Sequence, residues 1–313
     1  MRAIFFGTPA LAVPSLSALA EVAEIVGVVT QPDRPAGRGM NPHAPAVKLA
    51  ALERGFPVFQ PEKVRSGELF RWVAERTADV SLVIAYGRIL TPDVLAAPRV
   101  GSLNLHASLL PKYRGAAPIN WAIVRGETQT GVSLMQMDAG LDTGPVLVRE
   151  TLDIGSEETA GELAMRVAEL AARIVRDHLG RAVRGELRPE PQDEALATHA
   201  PPIESHHRRV GFGDSAKNVA NLVRGMAPSP GAFTTVSGKR LRLTRVRPVA
   251  DSLEGVPGTV HVAGGVPYVV TEPGAIEVVS AQLEGKREVS GKDLVNGRAL
   301  GEGSILGAEE PRP

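Results

Sequence analysis

A chain of 313 residues, 43% of them hydrophobic, carries enough apolar side chain for one large core or two smaller ones, and the usual domain size favours two. Its 35 basic and 35 acidic side chains cancel, so any attraction to a polyanion has to come from a local patch and not from net charge. Cysteine is absent, which excludes disulfides, thiolate metal ligands and a cysteine nucleophile, and which fits a cytoplasmic protein.

The chain opens MRAIFFGTPALAVPSLSALA, where one arginine before an apolar run has the outline of a secretory leader. Gly7, Pro9 and Pro14 break that run, and a second apolar run, Ile25 to Val29, follows after a short spacer. Strand, turn, helix, strand is the better reading. No stretch approaches the ~18 unbroken apolar residues of a membrane span, so no membrane partner is expected. Further along, RAIFF, AEIVGVVT, PVFQ, DVSLVIAYG, GSLNLH and TGVSLMQMD read as strands with helices between them. Near-continuous apolar strands separated in this way predict an α/β fold, a doubly wound, mostly parallel sheet covered on both faces.

Such sheets bind ligands beyond the carboxyl ends of their strands, and the first loop, FFGTPALAVPSL, fails as a dinucleotide fingerprint because Pro9 stands where the second glycine belongs. From Ser156 on, Leu163, Val167, Leu170 and Ile174 fall on one helical face, with Ser156 as the expected cap and Glu157 and Glu158 in the first turn. Prolines 189, 191, 201 and 202 then break the pattern. The organisation expected is an α/β domain over 1–188, a linker over 189–208, and a small antiparallel β-barrel over 209–313, assembled from short alternating segments punctuated by glycine.

Three stretches carry candidate chemistry. In GSLNLH, Asn104 and His106 stand two residues apart and so share one face of a strand near its carboxyl end. An amide donor beside an imidazole suits stabilisation of an oxyanion and movement of a proton, although an isolated Asn-x-His is more often a satisfied core pair. MDAGLDTGPVL supplies the carboxylates Asp138 and Asp142 in a glycine-rich loop that equally reads as ordinary turn chemistry. KRLRLTRVR, with Lys239, Arg240, Arg242, Arg245 and Arg247, has five cations and no acid. Its alternation changes phase after Thr244, which predicts a bulge there; it reads either as a polyanion-binding stripe or as a solvated edge strand. His43, His178, His199, His206, His207 and His261 lack metal-ligand spacing, so no metal is expected.

NLHASLLPKYRGAAPINWAI followed by GVSLMQMDAGLDTGPVL, with FFGTPALAVPSL and QPDRPAGRG before them, resembles the methionyl-tRNA formyltransferases over nearly the whole chain. The resemblance implies a Rossmann-like formyltransferase domain, an OB-like barrel, and 10-formyltetrahydrofolate as formyl donor with no metal. It implies catalytic roles for Asn104, His106 and Asp142, with Asp142 orienting His106. It places the folate along Arg88, Ile89 and Leu90 and around Ser108, Leu109, Leu110, Pro111 and Asp138. The acceptor it implies is methionyl-initiator tRNA, whose acceptor end meets the loop Thr30 to Pro45 through Arg34 and Arg38, while Lys239, Arg240, Arg242, Arg245 and Arg247 contact its backbone. The chain departs from the family pattern at Met40 and Asn41, where lysines are usual, and in the linker IESHHRRVGFG. A monomer is expected. The alternatives are a folate-dependent formyltransferase for a small amine, such as a ribonucleotide or amino sugar, and a catalytically dead RNA-binding protein.

Overall fold

Strands buried on both faces have to satisfy their backbones inside a sheet, and the apolar runs of the N-terminal part do so side by side. A computed structural model of the chain describes residues 1–36, 41–249 and 253–307. Its strands in chain order are β1 (Arg2–Phe6), β2 (Glu24–Val29), a small pair β3 (Arg34–Ala36) and β4 (Asn41–His43), β5 (Val58–Phe59), β6 (Val80–Val83), β7 (Ser102–His106), β8 (Gln129–Gln136) and β9 (Val146–Asp153). Apart from the small pair they form one sheet in the order β5-β2-β1-β6-β7-β8-β9. The pairings from β5 to β7 are parallel and β7 to β8 is antiparallel. This is the doubly wound, mostly parallel sheet expected.

Helices α1 (Val13–Val22), α2 (Ala46–Glu53), α3 (Glu68–Ala74), α4 (Pro92–Ala96), α5 (Pro118–Val124) and α6 (Ala160–Val183) fall between or after the strands. The face expected of α6 is the buried one, since Leu163, Val167, Leu170 and Ile174 are at most 2% exposed. Its cap is corrected. The helix begins four residues after Ser156, and Thr159 and Glu162 close a reciprocal box: the Thr159 amide donates to Glu162 Oε2 at 2.8 Å and the Glu162 amide to Thr159 Oγ1 at 3.3 Å. β9, VLVRETLD, is an edge strand with only Val146 fully buried, so it has no apolar run to announce it.

The chain divides into two compact units, one of Met1–Pro118, Thr130–Asp153 and Ala164–Pro201, the other of Ile119–Gln129, Ile154–Leu163 and Pro202–Pro313. In the first, Ile4, Phe6, Val29, Leu69, Val83 and Tyr86 form one cluster and Leu110, Met135 and Val146 another. In the second, β10 (Ala232–Val236), β11 (Lys239–Val249), β12 (Val260–Ala263), β13 (Val266–Val270), β14 (Ala275–Leu283) and β15 (Glu288–Ser290) make an antiparallel sheet of six strands, the small barrel domain. Its core includes Leu241, Leu243, Val260, Val269 and Ile276, with Val219, Val223 and Met226 from α7 (Ala216–Met226) and Leu294 from α8 (Gly291–Asn296).

The two short segments join the second unit through close backbone packing. Asn120 donates to the Gly225 carbonyl at 2.7 Å and the Gly161 amide to the Ala227 carbonyl at 3.0 Å. A side chain at Gly225 would bring its Cβ to 2.6 Å from Val124 Cγ2, so only glycine fits. On β11 the register against β14 shifts on both sides of Arg245, which is the phase change expected near Thr244.

Candidate active site

β7 is entirely buried, and Asn104 and His106 point from one face of it at 8% and 6% exposure. Polar groups so deep need partners. His106 Nε2 lies 2.9 Å from the Tyr113 carbonyl, so this nitrogen carries the proton and donates it. Nδ1 faces Asp142 Oδ2 at 3.6 Å, within ion-pair range but too long for a hydrogen bond. The carboxylate is itself held: Oδ2 accepts from the Gly115 amide at 2.8 Å and Oδ1 from Asn104 Nδ2 at 3.4 Å. The three residues expected to be catalytic therefore meet.

The Tyr113 carbonyl adds a partner for His106 that the sequence did not announce. This carbonyl fixes the tautomer of His106, and the Asp142 carboxylate faces the other ring nitrogen. With Nε2 committed to Tyr113, a proton can add only at Nδ1, which makes the ring a cation directly beside the carboxylate. The turn after β7 is firm, because Ser133 Oγ accepts from the Leu110 amide at 3.1 Å and donates to the Ser108 carbonyl at 2.7 Å. Tyr113 (φ 61°) and Asp142 (φ 54°) both occupy the left-handed region, where a non-glycine residue needs its surroundings to hold it.

The residues expected to touch folate separate into two groups. Ile89 is 74% exposed on the loop after β6, which leaves the sheet at the same end as Asn104 because Val83 and Asn104 are partners in register. Leu141, next to Asp142, is 58% exposed. Two apolar side chains held out on these loops fit a flat ring ligand, and Leu109 and Pro111 are partly open as well.

The side chains of Leu90, Ser108 and Leu110 are interior, which leaves their backbones as the part that could meet a ligand. Leu90 lies in the sheet core and Leu110 packs with Met135 and Val146, while the Ser108 hydroxyl donates to the Lys112 carbonyl at 2.6 Å. Their side chains shape the turn. Arg88 donates to the carbonyls of Pro61 and Glu62 at 3.0 and 2.8 Å and so anchors its loop. Asp138 is exposed, with Oδ1 accepting from the Gly140 amide and the Thr143 hydroxyl at 3.0 and 2.7 Å. Burial pushes the Tyr86 phenol up to about 12, so it is a neutral core group, packed edge-on against Phe6.

A cavity of about 370 Å³ is lined by Leu95, Ser102, Gln136, Met137 and Asp138 among others but includes neither Asn104 nor His106. Among the described residues no group of three or more histidines and carboxylates could hold a metal ion, and no helix is long and apolar enough to cross a membrane.

The cations expected to meet RNA have unlike surroundings. Arg34 is exposed and donates to Gln31 Oε1 at 2.9 Å; Arg38 lies outside the described residues. Lys239 is exposed, and Arg240 stacks its guanidinium 4.3 Å from the Phe233 ring. Arg242 is half-buried, with Gln282 Oε1 at 3.5 Å. Arg245 and Arg247 face carboxylates, Glu162 at 3.6 Å and Glu157 at 3.4 Å.

Sequence reasoning missed a second layer of the site. Arg114 is 3% exposed and grips both oxygens of Glu194 at 2.8 Å and Gln192 Oε1 at 2.9 and 3.1 Å. The hydrogen bond to Glu194 raises the arginine pKa, and the same bond holds Glu194 below the usual carboxylate range. An arginine inside the otherwise apolar YRGAAPI stretch was the available signal. Gln192 gave none.

The chain has relatives among known proteins. Residues 1–179 match the family model described as formyl transferase, and residues 202–299 match the formyl transferase C-terminal domain. The methionyl-tRNA formyltransferase of Sorangium cellulosum is 56% identical over 310 residues, 98% of this chain and 100% of that protein. That of Acidobacterium capsulatum is 45% identical over 311 residues, 98% and 100% of the two chains. Among solved structures, HypX from Aquifex aeolicus in complex with tetrahydrofolic acid shares the fold, with a TM-score of 0.64 at 20% identity over 96% of this chain and 48% of that one.

Proposed function

The chain belongs to the methionyl-tRNA formyltransferase family, and from that premise we propose that Asn104, His106 and Asp142 carry its chemistry. The enzyme transfers the formyl group of 10-formyltetrahydrofolate to methionyl-initiator tRNA for translation initiation. The observation that supports the residue assignment is the closed set of contacts at the carboxyl end of β7: Asn104 to Asp142, Asp142 to the Gly115 amide, and Asp142 beside the only ring nitrogen of His106 open to a proton.

The folate supplies the formyl carbon and a nitrogen that leaves. Asn104 keeps one amide N–H on Asp142 and has a second for the formyl oxygen as negative charge builds there. His106 Nδ1, beside the Asp142 carboxylate, accepts the proton that the attacking α-amine gives up, the resulting imidazolium is stabilised where it forms, and the same proton is returned to the folate nitrogen as its bond to the formyl carbon breaks. Tyr113 keeps the ring from turning. The apolar loop residues Ile89, Leu109 and Pro111, with Asp138 and the loop that Arg88 anchors, hold the folate.

The loop containing Arg34 and Arg38 takes the acceptor end of the tRNA, and Lys239, Arg240, Arg242, Arg245 and Arg247 take its backbone. Residues 1–188 form the folate-dependent part, 189–208 a linker and 209–313 the tRNA-binding barrel. The protein is a cytoplasmic monomer.

The test is an acceptor panel: purified chain and 10-formyltetrahydrofolate with charged initiator tRNA, charged elongator tRNA, free methionine and small amines. Formylation confined to the charged initiator tRNA is expected. Preferential formylation of a small amine would move the acceptor assignment to the small-amine enzymes, and no formylation at all would support the RNA-binding alternative.

A further inference from the structure

Asp142 is in an unfavourable backbone region, its carboxylate is committed at one end, and something must hold the other end. Gln192 does. Its amide nitrogen donates to the Asp142 carbonyl at 2.8 Å and to the Gly144 carbonyl at 2.7 Å, while its oxygen takes two N–H groups of Arg114, at 2.9 and 3.1 Å. Both donors and both lone pairs of the amide are then used, which leaves it one orientation. Arg114 in turn is fixed by its two bonds to Glu194 and, through its backbone, by Thr198 and Ala200.

Residues 114 and 115 thus hold Asp142 from two sides. The Gly115 amide binds the carboxylate directly, and the Arg114 guanidinium, through Gln192, binds the carbonyls on either side of Thr143. A left-handed aspartate is unfavourable and persists where its surroundings over-determine it. This strap is what over-determines it.

We infer that Gln192, locked by Arg114, is a positioning residue for formyl transfer: it sets the place of the Asp142 carboxylate beside His106 without touching substrate. The inference rests on the catalytic assignment of Asp142 made above. A displacement of about 1 Å in a reacting group can cost about 100-fold in rate.

The test compares the full chain with Gln192→Glu, Gln192→Met, Asp142→Ala and the double variant Gln192→Met/Asp142→Ala. Gln192→Glu keeps length and the acceptor for Arg114 but turns an oxygen toward two carbonyls; Gln192→Met keeps volume without hydrogen bonds. Both should lower kcat about 10- to 100-fold with KM for charged tRNA changed less than about 3-fold, which a general loss of structure would not do. Amide exchange over 139–144 should quicken in Gln192→Met, with Tm showing that the chain is folded. The double variant should be no slower than Asp142→Ala alone, to within about 2-fold, because the strap acts only through that carboxylate.

Normal kcat in both Gln192 variants, or a double variant whose loss is the product of the single losses, overturns the inference and leaves the Asp142 assignment standing. A near-normal rate in Asp142→Ala overturns both, and is distinguished by that variant alone.

Discussion

Two polar regions of this protein differ in how tightly their surroundings constrain them: the cluster at the end of β7 and the basic strand β11. Asn104 and His106 are less than a tenth exposed, and their polar contacts close into one network through Asp142. Arg240, Arg245 and Arg247 are exposed, and their neighbours are an aromatic ring and two carboxylates. Burial makes each wrong atom costly, so the first arrangement admits few chemical readings. Exposure lets a cation take whatever neighbour is near, and residue type alone then says little about what it binds.

Replacing the buried residues should have the largest effect. Asn104→Ala and His106→Ala are each expected to slow single-turnover transfer by about 100-fold or more while tRNA binding persists, since loss of one preorganised oxyanion donor alone costs that much. His106→Ala also removes the hydrogen bond to the Tyr113 carbonyl, a loss of roughly 0.5–1.5 kcal/mol that a melting curve should register. Rates near the parent's in both variants would erase the contrast between the two regions.

The basic strand offers a graded test. Arg240→Gln with Arg242→Gln should flatten the dependence of log tRNA affinity on log salt by up to about one for each phosphate that is no longer neutralised. Arg245→Gln with Arg247→Gln should flatten it less, because Glu162 and Glu157 already offset those charges. Equal slopes for both pairs would show that the carboxylates yield to RNA, and slopes matching the parent would make the whole strand a solubility device.

Smaller effects should leave chemistry alone. Thr159→Ala removes the cap of α6 and should cost about 1 kcal/mol of stability with kcat unchanged. Glu194 is held below its ordinary value of 4.5 by its hydrogen bond to Arg114, so its contribution is present at neutral pH and disappears only as pH falls through that lowered value. Melting temperatures of the parent and Glu194→Gln should therefore converge below pH 4.5, and a gap that widened on acidification would reverse the sign.

What was legible in the sequence follows from the same contrast. Apolar runs and period-three-to-four apolar patterns record burial, so the strands of the main sheet other than β9, the inward face of α6 and the phase change at Thr244 could all be read. Asn104 and His106 were legible because two polar residues interrupt a strand that is otherwise apolar. β9 was not, since an edge strand alternates with charged residues. Ser108 and Leu110 lie in the turn after β7, but which of its side chains face inward depends on Ser133, 25 and 23 residues away. Gln192 and the carboxylates facing Arg245 and Arg247 were invisible for that reason too: their partners come from distant parts of the chain. The grouping of 119–129 and 154–163 with the barrel unit rests partly on close approach at Gly161 and Gly225, which no periodicity records.

The most direct test of the catalytic cluster is Asp142→Asn, which keeps the size of the side chain and an acceptor for the Gly115 amide but removes the charge beside His106 Nδ1. Single-turnover formylation of charged initiator tRNA should fall by about 100-fold or more, with equilibrium binding of tetrahydrofolate and of tRNA within about 3-fold of the parent. A rate within about 3-fold of the parent at unchanged binding would contradict the account, because the carboxylate would then be part of the turn and no part of the chemistry.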